Sequence, residues 1–265
     1  MPPKKHLGQH FLSDPRILGR IADALDAARD DSVLEIGPGP GGLTAALTSR
    51  VSRLIVIERD RELIPALRER FPTVTIVEAD ALEVDWHSLG SPPPALIIGN
   101  IPYNITSPLI DKALLPPRPR RIVFLVQKEV AERVVAGPGG AEYGALTIGV
   151  QAVARAERLF TVPAGAFSPR PKVDSALLRL TPLEQPLVAD ADVAAFRRFV
   201  VGMFGFRRKQ VLRGLRELSG WGADRVSPVL GGLRLPESTR PQELSPERFV
   251  ELFGAMVGAG YVTSG

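Results

Sequence analysis

Ser32-Val33-Leu34-Glu35-Ile36-Gly37-Pro38-Gly39-Pro40-Gly41-Gly42 decides the fold. A short apolar run ends in a glycine-rich turn that opens a helix, and this strand, loop and helix form the first unit of a doubly wound α/β sheet. Working outward, RLIVIE (53–58), TVTIVEAD (73–80), ALIIGN (95–100) and RIVFLVQ (121–127) repeat the short apolar run, each separated from the next by helically spaced residues. That alternation predicts a mostly parallel sheet. VARAERLFTVP (153–163) and VDSALLRLTP (173–182) read as two more strands, and the linking AGAFSPRPK is too short for a crossover helix, so they are expected as antiparallel neighbours at the sheet edge. Upstream, Ser13-Asp14-Pro15 offers a cap and a first-turn proline for an amphipathic helix through Leu25, preceded by a basic, glycine-containing arm. After Pro182 strand patterns cease while helical ones persist, as in ADVAAFRRFVVGMF (191–204) and SPERFVELFGAM (245–256). The expected division is therefore a catalytic α/β domain at 1–182 and a small all-helical domain at 183–265.

Composition limits the functions available. The chain has 265 residues, 45% of them apolar, and no cysteine, which excludes disulfides and thiolate metal sites. Neither a secretory apolar segment nor a membrane-length apolar run is evident, so a cytoplasmic location and no membrane partner are expected. His6, His10 and His87 show no ligand spacing, and no metal is expected. Lysines and arginines number 33 against 29 acids, a small surplus whose placement is more informative than its size. Arg197, Arg198, Arg207, Arg208, Lys209, Arg213 and Arg216 fall in one stretch without an acid, the clustering that a phosphate backbone would neutralise.

Gly37, Gly39 and Gly42 match the dinucleotide fingerprint, and Glu58 ends the second long strand where an acid could bind a ribose. However, Pro38 and Pro40 remove two backbone donors from the loop, and a pyrophosphate is held chiefly by such donors. A cofactor without phosphate fits better. S-adenosylmethionine meets that requirement, with Glu58 for the ribose hydroxyls and Asp80 of EADAL for the adenine amine. Asn100-Ile101-Pro102-Tyr103 follows the next strand and reaches the same crest. An exocyclic adenine amine is a poor nucleophile because its lone pair is delocalised into the ring. The Asn100 side-chain carbonyl and a backbone carbonyl just before or at Pro102 could accept its two hydrogens and aim the lone pair. Proline would hold the backbone, and Tyr103 would offer a stacking ring.

HLGQHFLSD (6–14), VLEIGPGPGGLT (33–44), VIERD (56–60), EADAL (78–82), GNIPYNITSPLI (99–110), VQKEVAERV (126–134) and FSPRPKVDSALLRL (167–180) occur in order, followed by RRKQVLRGL (207–215) and RPQELSPERF (240–249). Over essentially its whole length the chain resembles the KsgA-type small-subunit (16S) rRNA adenine N6,N6-dimethyltransferases. The resemblance implies a class I methyltransferase (Rossmann-like) fold and dimethylation of two adjacent adenosines near the 3′ end of 16S rRNA in the immature small subunit; the modular organisation of the chain suggests a monomer. It further implies cofactor contacts at His10, Leu12, Gly37, Gly39, Glu58, Asp80, Ala81 and Asn100, with Phe167 stacking on the target base opposite Tyr103. His10 stands where many relatives carry Asn. Two rivals are an erythromycin-resistance-type large-subunit rRNA adenine-N6 methyltransferase, and an RNA-binding assembly or transcription factor of the same fold.

Overall fold

A computed structural model describes residues 9–262. The basic arm at 1–8, with His6, lies outside the described residues. The main element is a seven-stranded sheet of β2 (Ser32–Ile36), β3 (Arg53–Glu58), β4 (Thr75–Glu78), β5 (Leu96–Asn100), β6 (Arg121–Gln127), β7 (Ala154–Val162) and β9 (Ser175–Pro182). Its order is β4-β3-β2-β5-β6-β9-β7. The first five strands pair in parallel, and β9 runs antiparallel to β6 with Phe124 opposite Leu178. Parallel strands are covered on both faces, which explains why β2 is buried at every position. β7 and β9 are neighbours at the edge, as the short proline-rich connection requires. Register aligns the carboxyl ends: Ile36 lies opposite Ile57 and Gly99, Glu58 opposite Glu78, and Asn100 opposite Leu125. Chemistry-bearing residues are thereby brought to one crest.

Helix α1 (Pro15–Ala24) starts where Asp14 Oδ1 accepts from the Arg16 amide at 2.8 Å, and it buries Leu18, Ile21 and Ala22. Helix α2 (Gly42–Thr48) opens from the glycine loop, and α3 (Ile64–Arg70), α4 (Thr106–Ala113) and α5 (Lys128–Val135) follow later strands. A two-residue strand, β1 (Phe11–Leu12), pairs antiparallel with β8 (Phe167–Ser168) and ties the segment before α1 to the loop before β9. Sequence periodicity cannot detect so short a ribbon.

The chain separates into two compact units, but at different boundaries from those expected. Of the described residues, those up to 131 and those at 156–182 form the sheet unit, while 132–155 join those from 183 onward in the helical unit. The single expected boundary at 182 missed this insertion, whose cause lies in apolar packing. Helix α6 (Ala145–Gln151) buries Ile148 and Val150, and the fully buried Tyr143 donates its hydroxyl to the Leu244 carbonyl at 2.7 Å. The backbone amides of Leu183 and Leu187 donate to Val153 and Ala152. In the same unit, α7 (Val193–Gly205) and α10 (Pro246–Gly258) meet through Phe196, Phe199 and Phe253, with ring centroids 5.5–5.6 Å apart. Helices α8 (Val211–Ser219) and α9 (Ala223–Gly232) complete it.

Candidate active site

The glycine loop keeps its donors for itself. Gly37, Gly39 and Gly41 have φ of 67°, 56° and 85°, a region that favours glycine. The Gly37 amide donates to Ile57 O at 2.9 Å, Gly39 to Glu58 Oε2 at 3.1 Å and Gly41 to Pro38 O at 2.9 Å. Pro38 and Pro40 have no N–H, so every backbone donor from 37 to 41 is already committed. A pyrophosphate would find no free donor between residues 37 and 41.

One cleft of about 870 Å³, open to solvent, is lined by His10, Gly37, Gly39, Glu58, Arg59, Asp80, Ala81, Asn100, Ile101, Pro102 and Tyr103 among others. Glu58 is almost fully buried and accepts from the amides of Asp60 at 2.8 Å and Gly39. Burial pushes its carboxyl above the ordinary value, opposed by those amide bonds, which favour the carboxylate. Asp80 Oδ1 accepts from the Leu82 amide at 2.9 Å, and its Oδ2 lies 3.0 Å from Arg59 Nη1. Trp86 Nε1 donates to Ala81 O at 2.8 Å, and Lys112 Nζ donates to Leu82 O at 2.6 Å, so this turn is braced from below.

In the tetrapeptide, Asn100 Nδ2 donates to His10 O at 2.8 Å, which leaves the side-chain oxygen as the acceptor turned to other partners. The Ile101 amide donates to Leu125 O at 3.0 Å and holds the motif to β6. Pro102 O accepts from both the Ile105 amide at 3.1 Å and Thr106 Oγ1 at 3.2 Å, so its two lone pairs are occupied. The sequence left the backbone acceptor open between two carbonyls; this geometry favours Ile101 O. Tyr103 Oη lies 2.8 Å from Ser175 Oγ. Burial raises the phenol's pKa, with the Ser175 bond opposing. Ser175 is fully buried and received no role from the sequence, although it belongs to the quoted FSPRPKVDS motif. Gln9, whose amide donates to the buried Asp60 at 3.0 Å, was missed in the same way.

The ribosomal RNA adenine dimethylase family model matches residues 3–230. The chain belongs to that family. A ribosomal RNA small subunit methyltransferase A from Bordetella avium strain 197N is 40% identical over 98% of this chain and 97% of its own. The crystal structure of a dimethyladenosine transferase from Plasmodium falciparum is 28% identical, covers 95% of this chain and 99% of its own, and superposes with a TM-score of 0.82. The 23S rRNA methyltransferase ErmE is 29% identical over 93% of this chain and 99% of its own, with a TM-score of 0.69. The class I methyltransferase fold that the resemblance implied is thus the fold of this adenine dimethylase.

Three expected positions sit elsewhere. Phe167 is 5% exposed and belongs to the apolar cluster with Leu12, Leu18 and Leu177, because its side chain in β8 turns inward while Ser168 faces outward. The ring beside Tyr103 is that of His10, with centroids 5.5 Å apart and planes 31° apart, and His10 Nδ1 lies 2.8 Å from Pro169 O. The Leu12 side chain is likewise in the core rather than the cleft. Arg197 is half-buried against Gly149, with Nε and Nη2 shielded from solvent. The other cations of the cluster are in the helical unit as well. Arg198, Arg208, Arg213 and Arg216 are exposed, Arg207 reaches Ala141 O at 3.4 Å, and Lys209 stands over the Phe206 ring at 5.0 Å. Glu217, one residue past the acid-free stretch, approaches Lys209 at 3.7 Å and Arg213 at 3.9 Å. Among the described residues no group of three or more His, Asp or Glu could hold a metal ion, and no helix is long and apolar enough to cross a membrane.

Proposed function

We propose that this adenine dimethylase transfers methyl groups from S-adenosylmethionine to N6 of two adjacent adenosines near the 3′ end of 16S rRNA during small-subunit assembly. The observation that carries the reading is one cleft in which Glu58, Asp80 and the tetrapeptide Asn100–Tyr103 converge beside a loop with no donor to spare. Glu58 takes the cofactor's ribose hydroxyls, and Asp80, with Ala81, takes its adenine edge. Bound there, the cofactor supplies a methyl group activated on a sulfonium.

Asn100 Oδ1 and Ile101 O accept the two hydrogens of the target amine, which turns the lone pair out of conjugation and steadies its developing charge. Tyr103, held at its hydroxyl by Ser175, stacks on the base. His10 braces both sides, through its carbonyl to Asn100 and through its ring to Tyr103. The cationic amine formed by transfer loses its proton to water, so no strong base is needed. Positioning of this kind can contribute roughly 7–11 kcal/mol to lowering a barrier.

The sheet unit is the catalytic part in this reading, and the exposed arginines of the helical unit meet rRNA phosphates. The protein acts in the cytoplasm as a monomer. Incubation with methyl-labelled S-adenosylmethionine and, in parallel, small subunits lacking adenine dimethylation or large-subunit RNA tests the whole reading. Label in N6,N6-dimethyladenosine near the 3′ end of 16S rRNA is the expected result. Label confined to large-subunit RNA would replace it with the resistance-type activity.

A further inference from the structure

Trp221 follows helix α8 at the left-handed Gly220, whose φ of 70° ends the helix and lets the chain fold back. Its indole is half-buried. Arg225 lies over the ring with its guanidinium carbon 3.5 Å from the centroid, and Tyr261 meets the ring edge-on at 6.2 Å. The ring also forms a wall of an open cleft of about 1080 Å³, together with Gln210, Leu212, Arg213, Arg216 and Glu217. Arg225, which covers one face of the indole, is not among the residues of that wall.

The geometry points to a nucleobase-stacking site on Trp221 that captures one unpaired nucleotide of RNA, away from the adenine that is methylated. Three complementary features meet in this cleft. The aromatic plate takes a base of any identity, and the guanidinium behind it makes the plate rigid. Arg216, exposed and without an ion pair among the described residues, suits the adjoining phosphate, while Arg213 is partly neutralised by Glu217. Gln210, exposed at the start of α8, carries both a donor and an acceptor for a base edge. A lipid surface would use the cations and leave the amide idle. An acidic peptide would use the cations and leave the plate idle. The inference rests on the proposed rRNA substrate and assigns that substrate a second point of attachment.

The test uses the full chain and a short oligouridylate, which has no adenine amine and does not call on the catalytic cleft. Trp86 and Trp221 are the chain's two tryptophans, and Trp86 is buried, so quenching of indole emission on binding reports Trp221. We expect quenching in the native protein; by fluorescence anisotropy of a dye-labelled oligouridylate, affinity should stay within about threefold in Trp221→Phe and fall about tenfold or more in Trp221→Ala. Arg216→Glu, a surface change, should weaken binding comparably with no change in melting temperature. Equal affinity in Trp221→Ala and the native protein, or unchanged emission at saturation, would overturn the site. So would quenching by phosphatidylserine vesicles in place of the oligonucleotide. Methylation of small subunits, measured in parallel, separates the two readings. Native activity with binding indifferent to Trp221 removes this site alone, whereas Trp221-dependent binding without methylation removes the catalytic reading alone.

Discussion

On the crest of the sheet unit, polar atoms are held by partners within the fold; on α8 of the helical unit and in the turn before it, exposed cations reach into solvent. Glu58 accepts from two loop amides, Asn100 is tied to His10 O, and Tyr103 is tied to a buried serine. Arg208 and Arg216, by contrast, have no ion pair among the described residues. The difference fits the proposed division of labour between the two surfaces. A methyl transfer depends on alignment to a fraction of an ångström, so its groups are immobilised in advance. A phosphate backbone is recognised by charge at longer range, and flexible side chains suffice. The contrast predicts that changes on the crest alter rate or stability, and changes on the helical face alter affinity and its salt dependence.

The largest effect should come from Asn100→Ala. Removing one aligned acceptor lowers the single-turnover rate of methyl transfer to small subunits by roughly 10²–10³-fold. A loss below about tenfold would mean that the crest does not align the amine through this amide, and the contrast with the helical face would fail.

Glu35 gives the next effect. It is wholly buried, accepts from Thr44 Oγ1 at 2.7 Å, and burial pushes its carboxyl up to about 8, with the nearby Glu58 adding to the rise. Because the folded value exceeds the unfolded one, the folded state binds the extra proton between about pH 4.5 and 8. This contribution to stability is therefore complete below that window and is lost as pH rises through it. Melting curves of the native protein and Glu35→Gln should diverge across the window, the native protein falling by about 5 °C or more relative to the variant by pH 8. Parallel curves would show that Glu35 is ionised throughout.

Two glycines sharpen the same contrast on the backbone. Gly41 has φ of 85°, and a Cβ there would stand 2.4 Å from the buried Phe71 ring; Gly220 has φ of 70° and open space around it. Gly220→Ala should cost about 1–2 kcal/mol for its conformation alone, and Gly41→Ala about 1–3 kcal/mol more for the collision. Denaturant unfolding of both variants measures the difference, and equal losses would show that the glycine loop is no more tightly built than an exposed helix end.

The sequence made these two surfaces legible to different depths. Parallel strands inside a sheet must be apolar on both faces, so β2, β3, β5 and β6 could be read as runs, and the loop could be read because its positive φ values favour glycine. Glu58, Asp80 and Asn100 could be located because the ends of parallel strands share one edge. Phe167 could not be placed, because its motif says nothing of which way a two-residue strand turns its side chains. Ser175 and Gln9 were overlooked because their partners, Tyr103 and Asp60, lie 72 and 51 residues away. The insertion of 132–155 into the helical unit depends on long-range packing and leaves no local periodicity. Within the basic stretch, charge is visible in sequence but exposure is not.

The smallest effects separate two arginines that the sequence grouped together. Arg208 is exposed, and each phosphate contact removed should lower the slope of log affinity against log salt by about 0.7 for single-stranded RNA. Arg208→Ala is therefore expected to weaken small-subunit rRNA binding several-fold at low salt, to flatten its salt dependence, and to leave melting temperature and cofactor affinity unchanged. Arg197 belongs to the same run of charge, but its Nε and Nη2 are shielded from solvent and its side chain lies against Gly149 of α6. Its replacement by Ala removes packing inside the helical unit, so Arg197→Ala should lower the melting temperature by a few degrees and leave the salt slope intact. Titrations of RNA binding at several salt concentrations, with melting curves alongside, resolve the pair. If both variants flattened the slope equally, Arg197 would reach the phosphates, and the helical unit would resemble the crest in using immobilised groups for recognition.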